Sequence, residues 1–129
     1  MTVSLDHTIV RSLHMQENAE FISNVLGMEP PTDHGFFWRV QLSGGVCLDY
    51  HNVETINYQH YALLMSDEHF DALLARMDDL GLDYYAQGHH RRPHEITVRN
   101  GGRAVYFTDP DGNSLEIVTR HYVPEPDAS

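Results

Sequence analysis

Four residues in this sequence carry groups that bind cations or move protons, and their placement is regular. His7 and His60 each sit in a strand-like run, and each precedes a glycine that can close the helix after it. Gly27 lies 20 residues beyond His7, and Gly81 lies 21 beyond His60. Asp49 and Glu116 fall in the last strand-like run of each half. Two imidazoles and one carboxylate on one face leave coordination positions open. That donor set suits non-haem Fe(II) and also accepts Mn, Zn, Ni or Co. If two copies of one unit pair about a pseudo-two-fold axis, His7, His60 and Glu116 converge, with Asp49 as a fourth candidate. A strand His is more commonly a core or surface residue than a ligand, and ten histidines make chance placement a real alternative. What favours the metal reading is the joint spacing.

The elements that must position these groups are legible in outline. Val105 to Thr108 is β-branched and aromatic, Asp109-Pro110-Asp111-Gly112 has the residue order of a type I turn, and Leu115 to Thr119 is again strand-like. Alternation puts Glu116 and Val118 on one face of that last strand. Glu116 is then either a solvent-facing residue or one that is paired or holds a cation, because an unpaired carboxylate is costly to bury. Earlier in the chain, Val3 to Val10 alternates as a strand, and Met15 to Leu26 has helical spacing with Gly27 as its stop. Phe36 to Leu42, the Gly44-Gly45 turn and Val46 to Tyr50 form a hairpin, and His51 to Tyr58 reads as a linker. The pattern then restarts. Gln59 to Met65 is a strand, Ser66 caps a helix striped by Phe70, Leu73, Leu74, Met77 and Leu80, and Leu82 to Tyr85 has the composition of a short strand. After a His- and Arg-rich loop, Ile96 to Arg99 forms a strand and Asn100-Gly101-Gly102 a turn. The expected organisation is one domain of two modules, about 1–53 and 54–122, with a loose tail over 123–129.

Composition narrows the function. Nineteen acidic against eight basic residues give a net charge of −11, which offers no basic patch for nucleic acid or an anionic membrane. Cys47 is alone, so no internal disulfide forms and a cytoplasmic setting fits. No basic segment leading into an apolar run opens the sequence, and no run is long enough to span a membrane, so neither a secretory signal nor a membrane anchor is expected.

Several segments together resemble the vicinal oxygen chelate superfamily, which includes glyoxalase I, fosfomycin-resistance thiol transferases, bleomycin-binding proteins and extradiol dioxygenases. They are Leu5-Asp6-His7-Thr8-Ile9-Val10, Val25-Leu26-Gly27-Met28, Gln59-His60-Tyr61-Ala62-Leu63, and Tyr106-Phe107-Thr108-Asp109-Pro110-Asp111-Gly112 with Leu115-Glu116. The resemblance implies an α+β fold of two βαβββ modules forming a cupped mixed sheet around a divalent metal, and places His7, His60 and Glu116 on the three ligand positions. A narrower set is similar to the ChaP-like group, whose namesake is an oxygenase of chartreusin biosynthesis. This set is Leu48-Asp49-Tyr50, Ser66-Asp67-Glu68-His69-Phe70-Asp71, and Gly101-Gly102-Arg103-Ala104-Val105 with Thr119-Arg120. That likeness implies an enzyme holding Fe(II), or Mn, Ni or Zn, that cleaves and rearranges a polycyclic aromatic polyketide oxidatively into a lactone. Dioxygen or a reduced-oxygen donor would be its second reactant, and a homodimer its assembly.

Departures from the relatives refine the roles. Extradiol enzymes carry a second His before the final motif, and Thr97, Val98 and Arg99 supply none. Tyr106, ten residues before Glu116, matches the dioxygenase Tyr and is expected to hydrogen-bond a substrate oxygen; a packed strand Tyr is the alternative. The potassium- and phosphonate-binding segment of fosfomycin enzymes is not seen over Arg99 to Arg103. Asp49 stands where glyoxalase I has Glu, and is expected either as a general base or as a surface Asp. Phe36 and Trp38 share a face by alternation and, with Arg91 and Arg92, are the expected contacts of a flat aromatic ligand, the arginines meeting phenolate or carboxylate. Two further readings stand beside the oxygenase. One is a glyoxalase-type isomerase or thiol transferase using the same site, and the other a non-catalytic protein that sequesters an aromatic antibiotic.

Overall fold

The computed structural model describes residues 2–88 and 92–123. The element order is β1 (His7–Ser12), α1 (Met15–Leu26), β2 (Thr32–Asp33), β3 (Trp38–Gln41), β4 (Cys47–Asn52), β5 (His60–Leu64), α2 (Asp67–Asp79), β6 (Thr97–Arg99), β7 (Gly102–Thr108) and β8 (Ser114–Val118). This is βαβββ twice, an α+β fold of two four-stranded mixed sheets. The first sheet runs β1-β4-β3-β2 and the second β5-β8-β7-β6, with the first strand of each unit parallel to its last and the other pairs antiparallel.

The chain divides into two compact units. Unit one takes in the chain to Tyr58 together with Asp109–Asn113; unit two takes Gln59–Thr108 and the chain from Ser114. In unit one, α1 packs on β1, β3 and β4, burying Ala19, Ile22 and Val25 with Val10, Val40, Leu48 and Tyr50. In unit two, Phe70, Leu73 and Met77 of α2 are buried, as are Val105, Phe107, Leu115 and Ile117 of the sheet. Arg103 of β7 lies 4.6 Å over the Phe70 ring and pairs Asp71 at 2.6 Å. Because side chains alternate across a strand, filling one face of each sheet with apolar residues leaves the other face for chemistry.

Sequence and structure differ mainly at strand ends. The first strand begins at His7 rather than Val3 and runs on to Ser12, because its hydrogen-bond partner is Cys47–Asn52. The same pairing carries β4 through His51 and Asn52, which composition had read as the start of a linker. Between Leu82 and Tyr85 only Tyr85 is bridged, to Tyr106 and to Pro93. The turn into β7 has Asn100 and Gly101 both left-handed, and β7 starts directly after it at Gly102. A Cβ at Gly102 would come within 2.6 Å of the Arg120 side chain, so a side chain there has no room.

The β7–β8 turn is held by a buried polar network within unit one. Asn18, fully buried on α1, donates through Nδ2 to Asp109 Oδ2 at 3.2 Å and Asp111 Oδ2 at 3.0 Å. Ser12 Oγ donates to the same Asp111 oxygen at 2.6 Å. Asp109 Oδ1 accepts the Asp111 and Asn113 amides, each at 2.9 Å, an Asx-type closure of the turn.

Candidate metal centre and substrate cavity

In unit two, all four strands send a functional side chain to one face. Glu116 on β8 is in register with Tyr106 on β7 and Ala62 on β5, so His60, two residues before Ala62, points the same way. His60 Nε2 lies 3.2 Å from Glu116 Oε1, and its Nδ1 lies 3.2 Å from the Ser114 carbonyl. Arg99 of β6 donates Nη2 to Glu116 Oε2 at 3.3 Å and stacks over Tyr122 at 4.6 Å. The Tyr106 ring stacks on His60 at 6.4 Å. Burial raises the Tyr106 pKa, and the adjacent charge and hydrogen bond of Glu116 raise it further, with Arg99 working the other way. The phenol therefore stays protonated at neutral pH and is a hydrogen-bond donor.

This pair passes a chemical test for a cation. A carbonyl oxygen only accepts, so Nδ1 carries the proton and His60 presents the Nε2 lone pair to a carboxylate oxygen that also only accepts. Two acceptors 3.2 Å apart need something positive between them, either a proton or a metal ion. First-row divalent metals bind N and O at about 2.0–2.2 Å, so both atoms can reach one ion. The carbonyl that fixes the imidazole is the outer partner that ligating histidines ordinarily have. Glu116 itself is 6 % exposed, a buried carboxylate whose charged partner among the described residues is the half-exposed Arg99.

Unit one repeats the arrangement. Ile9 of β1 is in register with Asp49 of β4, and His7 precedes Ile9 by two residues. His7 therefore stands to Asp49 as His60 stands to Glu116 in the pairing register. His7 Nδ1 is 2.7 Å from Asp6 Oδ2, which fixes the proton on Nδ1 and leaves Nε2 to act as a ligand. Where unit two has Tyr106 beside its carboxylate, unit one has Arg39, in register with Asp49. Arg39 Nε donates to Asp49 Oδ1 at 2.7 Å and Nη2 to Oδ2 at 2.9 Å. That hydrogen bond raises the Arg39 pKa, partly offset by desolvation. A cavity of about 330 Å³ opens over this face, lined by His7, Ile9, Phe36, Phe37, Arg39, Asp49 and His51.

No family model matches the chain. Among solved structures, it is 43 % identical to Oxidase ChaP-H1, covering 95 % of this chain and 100 % of that one with a TM-score of 0.87. It is 44 % identical to Oxidase ChaP-H2, covering 95 % and 97 %, also at 0.87. The chain belongs to the ChaP-like group of the vicinal oxygen chelate superfamily. A curated relative in the same superfamily, the glutathione transferase FosA of Serratia marcescens, is 28 % identical over 128 residues, 91 % of this chain and 81 % of that protein.

Within this ChaP-like chain the expected site residues are placed unevenly. His60, Glu116 and Tyr106 share one face of unit two, and His7 and Asp49 share one face of unit one. Among the described residues, no group of three or more His, Cys, Asp or Glu side chains is placed to hold a metal ion. Asp49, expected as a general base or a surface Asp, is buried with both oxygens accepting hydrogen bonds from Arg39. Phe36 lines the cavity, but Trp38 does not. Trp38 is in register with buried Tyr50 and lies on the helix side with Val40. Alternation linked Phe36 to Trp38 only if both lay in the strand, and β3 begins at Trp38. Phe37, stacked on His34 at 4.9 Å, takes the place expected of Trp38. Arg92 is exposed, borders a second cavity of about 240 Å³ in unit two and lies 3.9 Å from Glu95, while Arg91 lies outside the described residues. Sequence reasoning missed Arg39 and His51. Only strand pairing brings Arg39 to Asp49, and His51 looked like linker; its Nδ1 donates to the Phe36 carbonyl at 2.7 Å, which fixes its tautomer and leaves Nε2 as an acceptor. No helix among the described residues is long and apolar enough to cross a membrane.

Proposed function

We propose that this protein is a metal-dependent oxygenase, with Fe(II) the favoured ion, that oxidatively cleaves and rearranges a polycyclic aromatic polyketide using dioxygen or a reduced-oxygen donor. The observation that carries this is the His60–Glu116 pair: a buried carboxylate facing an imidazole whose proton is fixed on the far nitrogen, in a chain 43 % identical to an oxidase. His60 and Glu116 would hold the ion, with His7 as the third ligand. When bound, the ion would acidify adjacent substrate oxygens and bring substrate and oxidant into one coordination sphere. The protein's own groups do the rest. Arg99 keeps part of the Glu116 charge neutralised, and Tyr106, protonated, donates a hydrogen bond to a substrate oxygen. In this reading the protein is a homodimer.

The likeness to a glutathione transferase favours one competing reading, thiol transfer at the same site. Fe(II) reconstitution under anaerobic conditions, with nitric oxide as oxygen surrogate, separates the two by electron paramagnetic resonance. A high-spin iron–nitrosyl signal in the wild type, lost in Glu116→Ala, is the expected result. Tight Ni or Zn binding without that signal, and turnover that needs a thiol but not oxygen, would replace the oxygenase reading with thiol transfer.

A further inference from the structure

We infer that Arg39 is a specificity residue, reading an acidic group on the substrate's aromatic edge, and that Asp49 is the positioning residue that aims it. This deepens the oxygenase reading and rests on it only for the aromatic class of the substrate. A guanidinium has five N–H donors. Asp49 uses two of them, on the side edge formed by Nε and Nη2, at 2.7 and 2.9 Å. The outer edge, with one Nη1 and one Nη2 proton, meets no other acceptor among the described residues. It is the fork that binds a planar carboxylate with two parallel hydrogen bonds. Asp49 is only 6 % exposed at its side chain while Arg39 is 33 % exposed, so the pair is anchored at its acidic end and open at its basic end.

The walls choose the rest of the ligand. The Arg39 guanidinium lies 5.5 Å from the Phe37 ring, which stacks on His34 at 4.9 Å. Phe36, 83 % exposed, offers an unpacked ring at the rim, and the His51 hydrogen bond to its carbonyl pins that loop. An aromatic ring that reaches these walls brings a coplanar acidic substituent against the outer edge of Arg39. The formal charge of the Arg39–Asp49 pair is zero. A delocalised monoanion, such as an aryl carboxylate or a phenolate, suits that better than a phosphate dianion. His7, which lines the same cavity, connects this recognition to the residue assigned above to the metal.

The test uses the whole chain, stripped of metal by a chelator, and two probes: anthraquinone carboxylic acid and its primary carboxamide. Without metal, the acid cannot gain affinity by coordination. Calorimetry or fluorescence quenching should show the wild type preferring the acid by about tenfold or more, the scale of a charge-assisted hydrogen-bond pair. Arg39→Gln should abolish that preference, leaving acid and amide bound alike, with circular dichroism reporting the fold. Arg39→Lys, which keeps the charge and loses the fork, should fall between. Asp49→Asn should weaken the acid alone. Equal binding of acid and amide by the wild type, saturable binding of neither, or a preference that survives Arg39→Gln would overturn the inference. Tighter acid binding in Asp49→Asn would overturn the positioning role, showing that Asp49 opposes the ligand rather than aiming Arg39. None of these readouts involves iron or oxygen. A lost acid preference thus leaves the oxygenase reading standing, and a failed iron–nitrosyl signal leaves the acid preference to be judged separately.

Discussion

Replacing Asn18 with Asp tests the network that holds the β7–β8 turn. The change is nearly isosteric, but it turns the Nδ2 donor into an oxygen aimed at two carboxylate oxygens, 3.2 Å away on Asp109 and 3.0 Å away on Asp111. At an effective dielectric of about 20, two charges about 3 Å apart repel by about 5 kcal/mol, so the new carboxyl keeps its proton in the folded protein at neutral pH. In the unfolded chain it ionises near pH 4. The folded state then holds one proton more than the unfolded state, and stability falls as pH rises. The loss is about 1.4 kcal/mol per pH unit above 3.9, or about 4 kcal/mol at pH 7. A further loss of about 1 kcal/mol, independent of pH, comes from the missing second donor. Urea unfolding midpoints and slopes of wild type and Asn18→Asp, taken at pH 5 and pH 7, should show the gap between them widening by about 2.7 kcal/mol. A gap that is the same at both pH values would refute the reasoning, because a packing defect does not titrate.

Glu116→Gln should leave the metal-free protein folded but erase metal-induced stabilisation. At metal one hundredfold above Kd the wild type should gain about 2.7 kcal/mol, roughly 10 °C in Tm for a chain of this size, and the variant should gain almost nothing by thermal melts with and without chelator. Tyr106 has a folded pKa above its unfolded value near 10, so its contribution to stability is intact below pH 10 and is lost as pH rises through the folded pKa. Tyr106→Phe should therefore flatten the alkaline limb of a stability-versus-pH curve; an unchanged limb would show that Tyr106 titrates alike in both states. Phe70→Ala, at a fully buried position beneath Arg103, should cost about 3–5 kcal/mol in urea unfolding.

Much of the architecture could be read from residue order. Both helices stop at a left-handed glycine, Gly27 after α1 and Gly81 after α2. The second helix starts at its Ser66 cap, whereas α1 starts after His14 with no side-chain cap. Gly27 ends α1 in a left-handed conformation, and the Ser66 hydroxyl accepts the His69 amide at 3.2 Å. The short-range chemistry of Asp109-Pro110-Asp111-Gly112 closes its turn through the Asp109 side chain, and Asn18 and Ser12 then hold that turn from a distance. The equivalence of His7 and His60 also showed in spacing, because a repeated unit repeats its register. Strand ends were less legible. A strand stops where its neighbour stops offering hydrogen bonds, and that neighbour is about 40 residues away for β1.

The two-module order, the candidate ligands and the likeness to the ChaP-like group were legible in residue order. These depend on local propensity, on period-two and period-3.6 patterning, and on residues named one at a time. The fold alone sets which side chains meet across strands. It placed Arg39 on Asp49, turned Trp38 to the helix side, and set His51 in a strand beside the cavity. It also showed Asn18 of α1 holding two aspartates about 90 residues further on. The physical reason is common to all four. A side chain's direction follows from its own backbone, whereas its partner follows from strand register and from packing between elements distant in sequence. Those are set by the free energy of the whole fold rather than by any stretch of it.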